Sequence, residues 1–482
     1  MAGVFDQRNS ADAGAVVIEQ DEMSELLPCP TPLSFSFMGR LWGPGGSVDL
    51  AFRQLGLSYS LPEGRPGHLV NLFGHTYVDV RLKERMAVRL PKAKARQLRK
   101  LSERTAREFP GPEFQALEQE MAFWDAVDFD ALPVDQILKT LLELDDKFVQ
   151  EVYVEAEKIN ILAGLSMAEA LRATESDDAA RKRLMNPVLP HSPANMIASS
   201  LAVSSDQRDA HLQKIMGHRA HFDYEFSEAR YSEAPESLQA LLATTAGLFT
   251  EASPKQASAL DDSVGLAIRM QDLKEQAKHE ALRVFAHMRR AVLALGQKTG
   301  LGELVFYLEW DEVLALGDAD LTDALMRATA RKDHADHVRD QAPNRVSLTL
   351  AECERLSGPM TAANATGSDQ LAGICVAGSE DVSARVFVVA KAATRDEEAF
   401  TGFRDGDIIA CSMLSPTWLP YMQRSGGVLS EIGGWLSHMA IVAREKDILM
   451  LVKCRGLEQL ETGTFIDVGT DGSIAKREME VV

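Results

Sequence analysis

The feature that most constrains this fold is a change of hydrophobic period along the chain. From about residue 111 to 340, apolar residues return every three or four positions, as in Ile137, Leu138, Leu141, Leu142, Leu144, Phe148 and Val152. That spacing builds one buried face of a helix. Similar stripes run from Leu238 to Leu248 and from Leu282 to Leu295, and Gly300-Leu-Gly302 then reads as a stop. After about residue 371 the period shortens. Val386-Phe-Val-Val-Ala390, Asp407-Ile-Ile-Ala-Cys411, Ile448-Leu-Met-Leu-Val452 and Phe465-Ile-Asp-Val468 are short β-like runs. Turn dipeptides such as Asp405-Gly406, Gly426-Gly427 and Asp471-Gly472 separate them. A helical stripe and short strands of this kind call for separate layers and separate cores.

The expected architecture is therefore multi-domain α+β, a large mainly helical domain over 111–340 followed by a small α/β domain over 371–482. Between them, 341–370 carries Pro343, Gly358, Pro359 and the small-residue run Thr361 to Ser368, which reads as a flexible linker. Residues 1–110 read as an N-terminal arm and a small mixed segment. Its first 30 or so residues are polar and acidic, a loose arm. Leu69-Val-Asn-Leu-Phe-Gly-His-Thr-Tyr-Val-Asp-Val-Arg81 reads as a hairpin. Between Arg81 and Arg107, eleven Lys and Arg stand against two Glu. That island is either an anion-docking surface or one solvated helix face, and the apolar Leu98 and Leu101 within it fit the helix face.

Charge and cysteine content narrow the function. With 51 Lys+Arg against 71 Asp+Glu, the formal net charge is −20, which repels phosphate backbones and anionic membranes. No nucleic-acid or membrane partner is expected. Cys29, Cys353, Cys375, Cys411 and Cys454 are odd in number and form no CxxC, so neither a disulfide framework nor a zinc site follows. The N-terminus has no secretory pattern, and a cytoplasmic location is expected. Asp333-His-Ala-Asp-His337 could place two imidazoles on one helix face, but a charged linking helix explains it as well, and no metal site is assigned.

One segment carries chemistry. In Gly426-Gly-Val-Leu-Ser-Glu-Ile-Gly-Gly-Trp-Leu-Ser-His-Met-Ala-Ile-Val-Ala-Arg-Glu445 a β-like run ends near Ser430. Gly433 and Gly434 then allow a tight turn, and Ser437 is a natural N-cap. His438 falls in the first turn of the helix that follows, beside free N–H groups and the positive end of the dipole. Neutral imidazole is a competent nucleophile toward phosphorus. The segment is thus suited to a histidine that accepts and passes on a phosphoryl group. A buried, hydrogen-bonded structural histidine is the alternative.

Gly433-Gly434-x-x-Ser437-His438-x-Ala440-Ile441-Val442-Ala443-Arg444-Glu445 resembles the phosphohistidine motif of the swivelling domain in the dikinase, or PEP-utilising, enzyme family. That family includes phosphoenolpyruvate synthase, pyruvate phosphate dikinase and rifampicin phosphotransferase. Phe403-Arg-Asp-Gly-Asp-Ile-Ile409 resembles the strand entry of that domain, Ser415-Pro-Thr-Trp418 its phosphate-side loop, and Gly463, Asp467 and Gly472 its closing strands. The resemblance implies His438 as catalytic carrier, with Gly433, Gly434, Ser437, Thr417 and Arg444 as phosphate-binding residues. In the helical part, Gly217-His-Arg219, Glu225 and Arg230-Tyr-x-Glu-x-Pro235 resemble the substrate domain of rifampicin phosphotransferase-like proteins. This implies His218, Arg219, Glu225 and Arg230 as substrate-binding residues. The alternative for the two arginines is structural pairing with Glu225, Glu228 or Glu233. Trp435, bulkier than the family usually has, is added as a candidate for the acceptor pocket. The family's Gly-Ile-Pro after Arg-Glu is replaced here by Lys446-Asp-Ile-Leu-Met450.

The resemblance also implies an ATP-grasp module, and ATP and Mg2+ bound there. The 482 residues leave no room for it, and no GxxxxGK[ST] phosphate loop is present. The expectation is a phosphotransferase component that receives its phosphoryl group from a separate ATP-grasp subunit and passes it to a small-molecule acceptor. Two alternatives stay open. His438 could act as a general base without phosphoryl transfer, or the chain could be a non-catalytic scaffold.

Overall fold

The computed structural model describes residues 15–20, 27–59, 69–72, 74–79, 90–185, 187, 189–246, 262–317, 319–338, 345–349, 371–389, 397–414, 418–434 and 437–477. Thirteen helices occupy the described part of the chain up to residue 338. They are α1 (Pro32–Trp42), α2 (Ser47–Gln54), α3 (Lys92–Glu108), α4 (Pro112–Asp125), α5 (Val134–Lys147), α6 (Tyr153–Ala173), α7 (Asp178–Met185), α8 (Pro193–Ser200), α9 (Ser205–Met216), α10 (Pro235–Ala246), α11 (Ser263–Thr299), α12 (Trp310–Leu314) and α13 (Leu321–Val338). None of the described helices is long and apolar enough to cross a membrane. The basic island forms α3, which buries Leu98, Ser102 and Ala106 and leaves Lys92, Arg96 and Lys100 on its outer side.

The spine of the helical part is α11, whose 37 residues rise about 55 Å at 1.5 Å each. Asp262 caps its start by accepting from Gly265 N. Gly300 ends it with φ 75°, a left-handed position that favours glycine. It packs along α6, which continues from α5 through a π-turn at Phe148–Val152. Phe37, Phe148, Phe226, Phe285 and Trp310 meet at the centre, with Phe37 and Trp310 4.7 Å apart between centroids and Phe226 and Phe285 4.3 Å apart. All five are buried in one continuous core and supply its largest apolar areas.

A four-stranded antiparallel sheet adjoins this part, in the order β2-β3-β1-β4. Its strands are β1 (Ala15–Glu19), β2 (Leu69–Leu72), β3 (His75–Asp79) and β4 (Arg345–Thr349). The hairpin expected over 69–81 is β2 and β3, with Gly74 between them at φ 69°. Two expectations change. Ala15–Glu19, placed in a loose arm, pairs residue for residue with Arg345–Thr349, placed in the linker. The reason is local: Ala-Val-Val-Ile-Glu and Arg-Val-Ser-Leu-Thr are rich in β-branched residues, and each supplies the hydrogen-bond partner the other lacks. The Gly358-Pro359 and Thr361–Ser368 stretches lie outside the described residues.

The C-terminal unit is a seven-stranded sheet in the order β11-β10-β6-β7-β8-β9-β5. Its strands are β5 (Ala372–Ala377), β6 (Val382–Val388), β7 (Ile408–Cys411), β8 (Gly427–Ser430), β9 (Met450–Arg455), β10 (Phe465–Val468) and β11 (Ile474–Lys476). The four central strands β6 to β9 run parallel. Parallel neighbours need crossovers, and α14 (Leu419–Arg424) and α15 (His438–Lys446) provide two of them. Successive residues serve opposite faces. Phe387, Ile409, Cys411 and Val428 join α14 and α15 in one core, while Val386, Ile408, Ala410 and Leu429 join the other. The outer strands curl together. Ala372 bridges Ser473, and Gly373 N donates to Gly472 O at 3.0 Å, so the β5 edge meets the β11 end. Closure of this kind removes exposed strand edges.

Candidate functional site

The site is built where β8 leaves the sheet. Val428 and Leu429 are fully buried on opposite faces, which fixes the strand's register. The chain stays attached to the end of β7 for two more residues. Glu431 N donates to Cys411 O at 3.1 Å and Ile432 N to Ser412 O at 2.8 Å. Ser430 Oγ donates to Ile432 O at 2.6 Å. Gly433 then turns the chain with φ 146°, outside the range of L side chains. Ser437 N donates to Gly434 O at 3.1 Å, and Ser437 Oγ accepts from Ala440 N at 3.4 Å as the N-cap of α15.

His438 is the first residue of α15. Its position is held from both sides. Behind it, the Gly433-Gly434 turn is tied to β7 and β8; ahead of it, Met439, Ala440, Val442 and Ala443 are buried in the core shared with Trp418 and Val428. The first N–H groups of a helix have no intrahelical carbonyl, and the positive dipole end lies there. An anion carried at residue 438 is therefore next to donors fixed by the fold. The expected Gly433, Gly434, Ser437 and His438 come together here. Arg444 starts from a different turn of the helix. It lies in the last turn, about 9 Å further along the helix axis, and its Nη1 donates to Val376 O of β5 at 3.3 Å. Thr417 and Trp435 lie outside the described residues.

Two neighbours complete this end of the unit. The Cys411 thiol is pushed up to about 12, by burial first and Glu431 second, and burial also raises Cys454. Both thiols thus stay protonated and are poor nucleophiles. Tyr77 of β3, fully buried, has its hydroxyl raised by burial and then by the charge of Glu431. The small sheet therefore stands within electrostatic reach of the loop that carries His438.

The candidates in the helical part separate into two groups. Glu225 is buried and holds the start of α1. Its Oε2 accepts from Thr31 N at 3.0 Å, and its Oε1 accepts from Thr31 Oγ1 at 2.8 Å, Ser227 N at 2.9 Å and Ser227 Oγ at 2.8 Å. Arg230 is buried as well. It donates to Asp223 O and Glu225 O, both at 2.8 Å, and stacks on Phe285 with Cζ 5.3 Å from the ring centroid. Burial, then the nearby Arg289, brings its pKa down to about 10. These contacts shape the loop rather than pair carboxylates with it.

Arg219 and His218 occupy the same loop on the side facing α11. Arg219 Nη2 pairs with Asp223 Oδ2 at 2.6 Å, and Lys278 of α11 reaches the same oxygen at 2.9 Å. Burial opposes ionisation of Asp223, yet the two cations hold its pKa well below the usual range. His218 lies edge-on to His279 of α11, with centroids 4.4 Å apart. Asp223, Lys278 and His279 were not singled out from sequence. The i, i+1 pair Lys278-His279 on a helix facing Gly217-His-Arg219 becomes visible only once the loop is docked.

Comparison with known proteins matches this geometry. Residues 403–472 match the PEP-utilising enzyme mobile domain, a span that includes β7, β8, the glycine turn and α15. In this segment the chain is similar to the mobile domain of PEP-utilising enzymes. Among its relatives are the uncharacterized phosphotransferase YvkC of Bacillus subtilis, 25% identical over 284 residues, covering 55% of this chain and 32% of that protein. The phosphoenolpyruvate synthases of Aeropyrum pernix and Pyrococcus furiosus are each 36% identical, over 84 and 75 residues, covering 17% and 15% of this chain and 10% and 9% of theirs. The chain thus spans about a third of the length of YvkC and about a tenth of the synthases.

Proposed function

We propose that this chain is a phosphotransferase component in which His438 carries a phosphoryl group from an ATP-derived donor to a small organic acceptor bound at the helical part. The observation that carries this reading is the position of His438. It is the first residue of a helix capped by Ser437 and entered through a Gly433 turn at φ 146°, inside the segment that matches the mobile domain.

In the first half-reaction an imidazole nitrogen of His438 attacks phosphorus, an N–P bond forms, and the P–O bond to the leaving phosphate oxygen breaks. In the second, an acceptor oxygen attacks, the N–P bond breaks, and the acceptor's proton passes to the released imidazole. Such transfers need positioning and charge neutralisation above all, which the capped helix start supplies. Gly433, Gly434, Ser437 and Thr417 are assigned to the phosphoryl group, and Trp435 to the acceptor pocket. Among the described residues no three His, Cys, Asp or Glu side chains gather as metal ligands, and none is assigned to Mg2+. ATP and Mg2+ enter through a separate ATP-grasp subunit, and the chain works in the cytoplasm without nucleic-acid or membrane partners.

The test is incubation of the chain with ATP, Mg2+ and an ATP-grasp protein encoded beside it, then mass analysis. Acid-labile phosphate on the peptide containing His438, absent in His438→Ala, is the expected result. No label on that peptide under any donor condition overturns the reading.

A further inference from the structure

Several buried polar atoms in the helical part have no hydrogen-bond partner among the described residues, and three of them belong to one cluster. They are Nη1 of Arg219, Nε2 of His218 and Nδ1 of His279. Arg219 is 3% exposed and has spent Nε and Nη2 on Asp223. The rings of His218 and His279 stand edge to face at 4.4 Å. Buried donors and acceptors are almost always satisfied, so three unsatisfied ones side by side mark a place built for a group that is not part of the chain.

The groups around them narrow the chemistry of that group. Burial acts first on both imidazoles and keeps them neutral, pushing His218 well down and His279 to about 4. Beyond burial, the groups facing His218 are His279, Arg219 and Arg283, which lower it, and Asp223, which raises it. Those facing His279 are Arg219, Arg283 and His191, opposed by Asp223. Asp223 already serves two cations, Arg219 and Lys278. Arg283 lies further out, paired with Glu118 and Glu280. Glu275 also acts on Arg219, so Arg219 and Lys278 are offset by two carboxylates, and what the inner cluster has left over is an unused guanidinium N–H beside two neutral imidazoles. A cationic group would leave that N–H unpaired, and a neutral oxygen would accept from it only weakly; an oxyanion accepts from it more strongly, and from both imidazoles once they take up protons.

We infer that His218, Arg219 and His279 form a binding site for an oxyanion, carboxylate or phosphate, borne by the molecule that receives the phosphoryl group. The identification of that molecule as the acceptor rests on the proposed function. The site itself rests on the cluster. His279, which nothing in the sequence singled out, is a specificity-determining residue in this arrangement, and the acceptor is an anionic compound rather than a neutral one.

The test is calorimetric titration of the full chain at pH 6 with inorganic phosphate and, separately, with acetate, in two buffers of different ionisation enthalpy. Binding of either probe with net proton uptake is expected, because the anion raises the imidazole pKa values. Phosphate alone points to a phosphate-bearing acceptor, and acetate alone to a carboxylate. His279→Gln and His218→Gln, which keep polarity and size, are expected to weaken the affected probe at least five-fold and to reduce the proton uptake. Arg219→Lys should weaken it further, and the histidine variants keep the test decisive if that variant does not fold. Absence of binding by both probes, or histidine variants that bind with unchanged affinity and proton uptake, overturns the site. Oxyanion binding without label on His438 would remove the carrier reading and leave this site standing. Label on His438 without oxyanion binding would do the reverse.

Discussion

Glu225→Gln is the substitution that separates a structural carboxylate from a ligand-binding one. The native carboxylate accepts four hydrogen bonds, from Thr31 N, Thr31 Oγ1, Ser227 N and Ser227 Oγ, at 2.8 to 3.0 Å. A glutamine can keep its oxygen on the three-donor side, but its NH2 then faces Thr31 N–H. One buried donor is left unpaired, at a cost of about 1–3 kcal/mol, and three charge-assisted bonds become neutral ones. Contributions within one network are not additive, so the expected loss is about 3 kcal/mol in all. For a unit of this size each kcal/mol moves the midpoint by roughly 2–4 °C, and the variant should melt about 10 °C lower. The assay is thermal unfolding of the full chain followed by helix circular dichroism. Labelling of His438 below the transition should be unaffected, because Thr31 and Ser227 belong to the helical part. A variant that melts within roughly 2 °C of the parent and yet fails to turn over acceptor would refute this reasoning and return Glu225 to the ligand site.

Three further outcomes are expected. Ser437→Ala removes the cap on Ala440 N and should cost about 1 kcal/mol, with faster loss of phosphate from labelled His438 measured by mass analysis over time. Gly433→Ala forces an L side chain to φ 146° and should cost on the order of 1–3 kcal/mol, read as a lower urea midpoint; an unchanged midpoint would mean the turn has another route. Glu157, 5% exposed and hydrogen-bonded by Asn160 Nδ2 at 3.3 Å, has its pKa raised from 4.5 to about 7, chiefly by burial. Folding therefore favours its protonated form. Its contribution is complete below the unfolded pKa near 4.5, declines as the pH rises through 7, and amounts to about 3 kcal/mol. Urea unfolding of the parent and of Glu157→Gln from pH 5 to 8 should give curves that diverge in favour of the variant at high pH, and parallel curves would contradict the burial argument.

Much of the fold was legible in the chain because it is written in local terms. The three-to-four spacing of Ile137 to Val152 and the stop at Gly300 depend only on neighbours within a turn or two. The same holds for the Gly433 turn, the Ser437 cap and the placing of His438 at a helix start. The two strands in the presumed arm and linker were not legible. Neither Ala15–Glu19 nor Arg345–Thr349 has a partner nearby in sequence, and a strand without its partner shows only weak preference. The roles of Glu225 and Arg230 were also hidden. Both look like ligand-binding residues by type, yet Glu225 is taken up by Thr31 and Ser227, and two terminal nitrogens of Arg230 by loop carbonyls.

By itself the sequence determined the kinds of element and the placing of His438 at a helix start, since a periodic face, a glycine turn and a cap are set by residues close together in the chain. Only the tertiary structure decided which polar side chains are spent and which are left over. Arg219, His218 and His279 come from two segments some 60 residues apart. They meet because α11 brings Lys278 and His279 against a loop whose Asp223 is shared by two cations, which leaves Nη1 of Arg219 unused. Whether a buried charge is satisfied is a property of everything packed around it, and no stretch of sequence contains that information.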